Sequence, residues 1–126
     1  MPTIAYSEVK LPPRTLLGES AILAWGPMAN GDQGDPISFH EFADKSVQIT
    51  GDFGGGSGAM QGSNDATNPT AWFPLTDPQG NPITKTSDAL EQISEQTVWV
   101  RPVVSGGSAG AVTFKLMARK GRGRAA

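Results

Sequence analysis

The chain offers few residues with which to do chemistry. His40, beside Glu41, is the single histidine, and cysteine is absent. Nucleophilic hydrolysis needs an imidazole oriented by a carboxylate and a nucleophile held on a defined turn, and no such signature surrounds His40. Without cysteine there is no thiolate chemistry, disulfide framework or thiolate metal site. With one histidine, a metal site would rest on carboxylates, and the twelve acids are scattered through turns rather than spaced as a calcium loop. Asp32 with Asp35, and Asp44 with Asp52, have the residue type for cleaving a glycosidic bond, but they sit in turn-rich surroundings where solvated acids are expected. The run "GGGSGA", residues 54–59, contains G-x-G-x-x-A. A dinucleotide fold needs a helix after it to meet the pyrophosphate, and the following "MQGSND" has no helical period. No Gly-Lys-Ser/Thr follows either, which excludes a P-loop. The expectation is a protein without catalytic residues, cofactor or metal, with His40 at a surface or interface.

Trp25, Trp72 and Trp99 are the other residues of interest. Tryptophan platforms on a β-sandwich hold sugars by stacking on the apolar faces of pyranose rings. The favoured expectation is that all three are core or interface residues. Trp99 lies between Val98 and Val100, so on a strand it faces away from them, exposed or covered by a partner.

The elements that must position these residues are short. Sixteen Gly and ten Pro make up about a fifth of the 126 residues, against a background nearer ~12%. Such a composition breaks helices and favours short strands joined by tight turns. Alternation is clearest at Val47, Ile49 and Phe53, and again at Val112, Phe114, Leu116 and Ala118, each set predicted to face inward. "SAILAW", residues 20–25, reads as a buried strand ended by Gly26-Pro27, "ANGDQGDP" as an exposed loop, and a short strand follows around Ile37 to Phe39. "AMQGS", "AWFPL" and "TVWVRPVV" read as further strands, with Pro74 placing "AWFPL" at an edge. "DPQG", residues 77–80, matches a type I turn. "SDALEQIS" has a capping Ser87 and acids near a helix start, which predicts one short helix there. The fold class expected is all-β: an antiparallel, jelly-roll-like β-sandwich over 20–119. An extended N-terminal arm over 1–19 precedes it, and a basic tail over 120–126 follows. In the arm, Pro12-Pro13 bars helix. Tyr6, Val9, Leu11 and Leu16 are its candidate apolar anchors, Pro12 and Pro13 its stiffening, and Arg14 its charge contact.

Charge is unevenly distributed. Residues 1–96 carry all twelve acids and four bases, whereas residues 97–126 carry six bases and no acid. The ending "ARKGRGRAA" suits docking on an acidic neighbouring subunit better than specific nucleic-acid binding, because no aromatic residues interleave the basic ones. Charged residues are only 17% of the chain, below the ~25% usual for soluble domains. "SAILAWG" is too short for a signal or membrane segment, so the expectation is a chain made in the cytoplasm, soluble and without a membrane partner.

From Ser46 to Lys120, through "ITGDFGGGS", "MQGSNDATN", "WFPLTDPQGNP", "VWVRPVVSGG" and "AVTFKLMARK", the chain resembles small virion proteins of tailed bacteriophages. The resemblance implies a non-catalytic β-sandwich subunit of the capsid-decoration (cement) type. It would lie on the outer surface of the head and clamp neighbouring major capsid subunits, as a homodimer or homotrimer. The Arg-Lys-Gly-Arg-Gly-Arg ending departs from the pattern. Partner-binding candidates are Tyr6, Val9, Leu11, Pro12, Pro13, Arg14, Leu16, Trp99, Arg119 and Lys120. The alternatives are a carbohydrate-binding β-sandwich module and a tail or neck subunit.

Overall fold

The computed structural model describes residues 3–11, 20–38, 42, 44–107 and 110–119. Two sheets face each other. The first contains five strands: β2 (Tyr6–Leu11), β3 (Ser20–Met28), β6 (Asp44–Asp52), β10 (Ala89–Ile93) and β12 (Ala111–Arg119), in the order β10-β6-β12-β3-β2, with every neighbour antiparallel. The second contains β1 (Thr3–Ile4), β4 (Gln33–Gly34), β5 (Ile37–Ser38), β7 (Gly56–Ser63), β8 (Phe73–Pro74), β9 (Thr84–Lys85) and β11 (Trp99–Gly106). Its main path runs β1-β4-β11-β7-β8, while β5 adds to β11 and β9 to β7. The described residues hold no helix, and the sandwich is all-β as the composition implies.

The long strands of the five-stranded sheet follow their period-two pattern. Val47 and Ile49 on β6, Val112, Phe114, Leu116 and Ala118 on β12, and Ala21, Leu23 and Trp25 on β3 are all buried. They meet Met60, Val100 and Val104 from the opposite sheet, with Leu75 and Ile83 closing one end. Burying side chains of this size contributes ~1.5–3 kcal/mol each, and most of the fold's driving force lies in this layer. Gly58 on β7 makes room for it. A Cβ there would stand 2.9 Å from the Phe114 ring and 3.3 Å from Ile49, so any side chain would push the sheets apart. Trp25 is fully buried, as expected of a core tryptophan, and its Nε1 donates to the Asp35 carbonyl at 3.0 Å.

Four expectations are corrected. Residues 89–93, expected to be helical, form β10, paired with β6 from Ala89↔Ile49 to Ile93↔Lys45. A helix this short bears the full nucleation cost for one or two bonds, whereas the strand gains a ladder and buries Ile93. Asp88, expected as an acid near a helix start, instead accepts from Gly51 N–H at 3.0 Å through its carboxylate.

β3 runs past Gly26-Pro27 to Met28 through an irregularity in its register with β12, because Met28 completes the core. "ANGDQGDP" is not simply exposed. Asp32 is 8% exposed and accepts from Ala29 N–H, and Gln33–Gly34 pairs with β11 and β1. Gly34 is pressed against Pro102 and Trp25, where a Cβ would come within 2.7 Å of both.

Residues 3–11 are extended, as expected, but they pair with the protein's own sheets. Thr3 and Ile4 run parallel to β4, and Tyr6–Leu11 run antiparallel to β3. Their physical reason is Tyr6, whose ring packs edge-on against Trp25 at a centroid distance of 5.8 Å. Pro12, Pro13, Arg14, Leu16, His40 and Lys120 lie outside the described residues.

"GDFGGG" is the turn that carries the chain from β6 of one sheet to β7 of the other, closed by Gly56 N–H donating to the Phe53 carbonyl at 2.7 Å. "DPQG" is a turn, as read, with Gly80 N–H donating to the Asp77 carbonyl at 2.9 Å. Pro74 ends up on the edge strand β8.

Candidate functional site

The turn-rich segment between β7 and β8 builds the most elaborate surface feature. Its organising group is the Asp65 carboxylate. One oxygen, Oδ2, accepts from Thr70 N–H at 2.8 Å and Ala71 N–H at 3.1 Å. Ser63 Oγ accepts from Asp65 N–H at 3.2 Å, fixing the loop's entry. Two further bonds tie the loop to β11: Trp99 Nε1 donates to the Asp65 carbonyl at 2.9 Å, and Val98 N–H donates to Asn64 Oδ1 at 3.0 Å. The Thr70 and Ala71 N–H groups, the former more strongly, hold the Asp65 carboxyl below its ordinary range, because they bind the ionised form. Asn-Asp at the start of the loop supplies side-chain acceptors where the backbone has none.

This loop delivers Trp72 onto Arg101. The guanidinium carbon lies 4.2 Å from the indole centroid, a cation–π contact. Arg101 Nε donates to Gln61 Oε1 at 2.9 Å, its cross-strand partner, and Nη1 donates to Gln33 Oε1 at 3.1 Å. Burial lowers the Arg101 pKa, since the charged form is partly stripped of water; at neutral pH the group keeps its charge. Arg101, Gln61 and Trp99 are half-buried and alternate with the buried Gly62, Val100 and Pro102. They occupy the outward side of the seven-stranded sheet. Phe73, next to Trp72, is 65% exposed.

The outward side of the five-stranded sheet is different in kind. It presents Ile22 and Ala24 on β3, Ser46, Gln48 and Thr50 on β6, Thr113, Lys115 and Met117 on β12, and Leu90 and Gln92 on β10. Lys115 is the one charged residue among these ten, and at one rim Arg119 bonds Asp44 at 2.7 Å. Leu90 is 68% and Met117 38% exposed.

The partner-binding candidates therefore divide between the two faces. Val9 and Leu11 sit on β2 in register with Ile22 and Ser20, at the edge of the five-stranded sheet, and Arg119 lies at that sheet's rim. Tyr6 is turned to Trp25. Trp99 faces away from Val100, as its alternation predicts, but on the other sheet and covered partly by its own loop. Arg101, Trp72, Gln61 and Gln33 as a group were not anticipated. The local signal was present only in the arginine, the one charge inside the apolar run "VWVRPVV". Among the described residues, no group of His, Cys, Asp or Glu is arranged to hold a metal ion.

No protein-family model matches the chain, and no curated protein matches it significantly. Among solved structures, the chain is similar to the SPBc2 prophage-derived protein YomS. The TM-score is 0.59 at 11% sequence identity, over 86% of this chain and 100% of that one. A structure from the disulfide-linked pili of Bacillus endospore appendages overlaps with a TM-score of 0.47 at 13% identity, over 93% of this chain and 88% of that one. At such identities the likeness to YomS is one of fold: this chain and a prophage-derived protein share a two-sheet architecture.

Proposed function

We propose that the chain is a non-catalytic structural subunit of a tailed-bacteriophage virion. More specifically, we read it as a decoration protein that docks on the outer surface of the head and bridges neighbouring major capsid subunits. The observation that carries this reading is the outward face of the five-stranded sheet. Four adjacent strands present a surface of small, apolar and uncharged polar side chains with Lys115 alone charged between the rims. Depletion of charge with retention of exposed Met and Leu is the composition of an interface core rather than of a solvated face. The Asp44–Arg119 pair gives that face a charged margin, and the basic sequence that follows Arg119 would suit an acidic neighbour. Many copies on a lattice would convert modest single contacts into strong retention. The fold shared with a prophage-derived protein supports this reading.

The test is co-sedimentation with purified heads of the same virus. The wild-type chain should pellet with the heads. Met117→Glu, which places a charge on the central strand of the face, should weaken retention by roughly tenfold or more while leaving the fold intact. Failure of the wild-type chain to bind heads, with binding to purified tails instead, would move the subunit to the tail or neck.

A further inference from the structure

The opposite sheet carries a charge whose described partners are all neutral. Arg101 is held by two amide oxygens, Gln61 Oε1 and Gln33 Oε1, and by the face of Trp72. Each glutamine turns its carbonyl oxygen to a group that only donates, so its amide N–H groups are directed elsewhere. Nε and Nη1 are the guanidinium atoms in these bonds, and Nη2 completes the fork. The result is a preorganised array of donors around a positive charge, fixed in plane by stacking and by hydrogen bonds. Such an array is matched by a planar anion that accepts two parallel bonds, a carboxylate.

The surroundings decide what carries the carboxylate. The strand beside Arg101 presents Ser57, Ala59 and Gln61 outward. Ser57 and Ala59 are small and Gln61 is polar, so the strand offers no large apolar side chain of the kind that anchors a peptide. Against this floor stands Trp72, half-buried over the arginine. A ring face next to a carboxylate clamp, with amide groups at the margin, suits a pyranose that bears an acid group.

We propose that Arg101, with Trp72, Gln33 and Gln61, forms a binding site for the carboxylate of an acidic saccharide, a sugar of the uronate or sialic-acid type. Arg101 clamps the carboxylate, Trp72 covers the sugar's CH face, and the glutamine amides meet its hydroxyl groups. The site lies on the sheet opposite the charge-poor face and is independent of shell binding.

Titration calorimetry on the full chain with oligogalacturonate, sialyllactose, lactose and polyglutamate tests this. Saturable binding of at least one acidic sugar is expected, with lactose weaker by roughly tenfold or more. Arg101→Gln should lower affinity roughly 10- to 100-fold, as loss of charge-assisted bonds does, without altering co-sedimentation with heads. Arg101→Lys keeps the charge without the planar fork and should retain only part of the affinity. Trp72→Ala, which leaves the strands untouched, should weaken binding in the same direction and guards against a folding defect in the arginine variants. Absence of saturable binding by both acidic sugars would overturn the assignment. So would equal binding of lactose, or unchanged affinity in Arg101→Gln. Polyglutamate binding as tightly as the acidic sugars would reassign the site to acidic protein segments and sink the saccharide reading.

Discussion

The two outward faces of the sandwich are made by opposite means. On the five-stranded side, nine-residue strands β3, β6 and β12 run side by side, and the face is simply what alternation leaves over once the core has taken its half. On the seven-stranded side, two eight-residue strands carry a patchwork of two-residue pieces, and the face is assembled by a loop reaching across them. Regular strands yield a broad, uniform surface suited to many weak contacts. Irregular ones yield a concentrated site, because a loop can bring an indole onto a guanidinium that strand geometry alone would leave bare.

The most disruptive way to break this contrast is to remove residues 1–11, which contribute β1 to one sheet and β2 to the other. Loss of the six-residue ladder and of the Tyr6–Trp25 contact should cost on the order of 5 kcal/mol, a large share of a domain's stability. Urea unfolding followed by near-UV circular dichroism should show a collapsed midpoint. A truncated chain with native stability would make those residues an accessory arm, as the sequence pattern suggests.

Phe114→Ala probes the layer both faces share. It should cost ~3–5 kcal/mol, measured by the same unfolding curve, and should perturb both faces together.

Asp65→Ala should separate them. With the carboxylate gone, the loop loses its Thr70 and Ala71 bonds, and Trp72 and Trp99 fluorescence should shift while the global midpoint moves little. Acid should mimic the variant. The Asp65 carboxyl is held below its unfolded value by those N–H bonds. Its contribution is therefore fully present above the unfolded value near ~4 and is lost as pH falls through the folded one. Glu95 acts in the same direction. Burial opposes its ionisation and is the largest single effect, but bonds from the Thr76 hydroxyl, the Thr76 N–H and its own backbone together outweigh it. Tryptophan fluorescence followed from pH 7 downward should change in the wild type and stay flat in Asp65→Ala; an identical transition in both would remove Asp65 from the account.

The smallest effect on stability should come from Leu90→Lys on the five-stranded face, within about 0.5 kcal/mol because the side chain is exposed. A lowered retention on heads at unchanged melting temperature would sharpen the distinction between fold and surface.

The same contrast governs what could be read from the residues. Val47, Ile49 and the Val112–Ala118 series announce their orientation through their immediate neighbours, so β6, β12 and most of the core were legible. β10 was not, because "SDALEQIS" carries local helix-start chemistry and only the ladder offered by β6 overrides it. Gln33–Gly34 looked like loop because its pairing partners, β1 and β11, lie far along the chain on either side. The Arg101 cluster depends on separations of the same order: 40 residues to Gln61 and 68 to Gln33. No local pattern encodes a contact of that span. Trp99 shows the boundary: alternation gave its face correctly, but not the Asp65 carbonyl that covers its indole nitrogen.

The position of β12 has a consequence for how the chain is made. It lies at the centre of its sheet, between β6 and β3, yet it is the last of the described strands in sequence. During synthesis, β2 with β3 on one side and β6 with β10 on the other emerge as two half-sheets with nothing to join them. Each exposes an unpaired edge where β12 belongs. Such edges invite pairing between neighbouring nascent chains. Folding of this layer waits until residue 119 has cleared the ribosome, and then proceeds by insertion of one strand into a gap rather than by growth from one end.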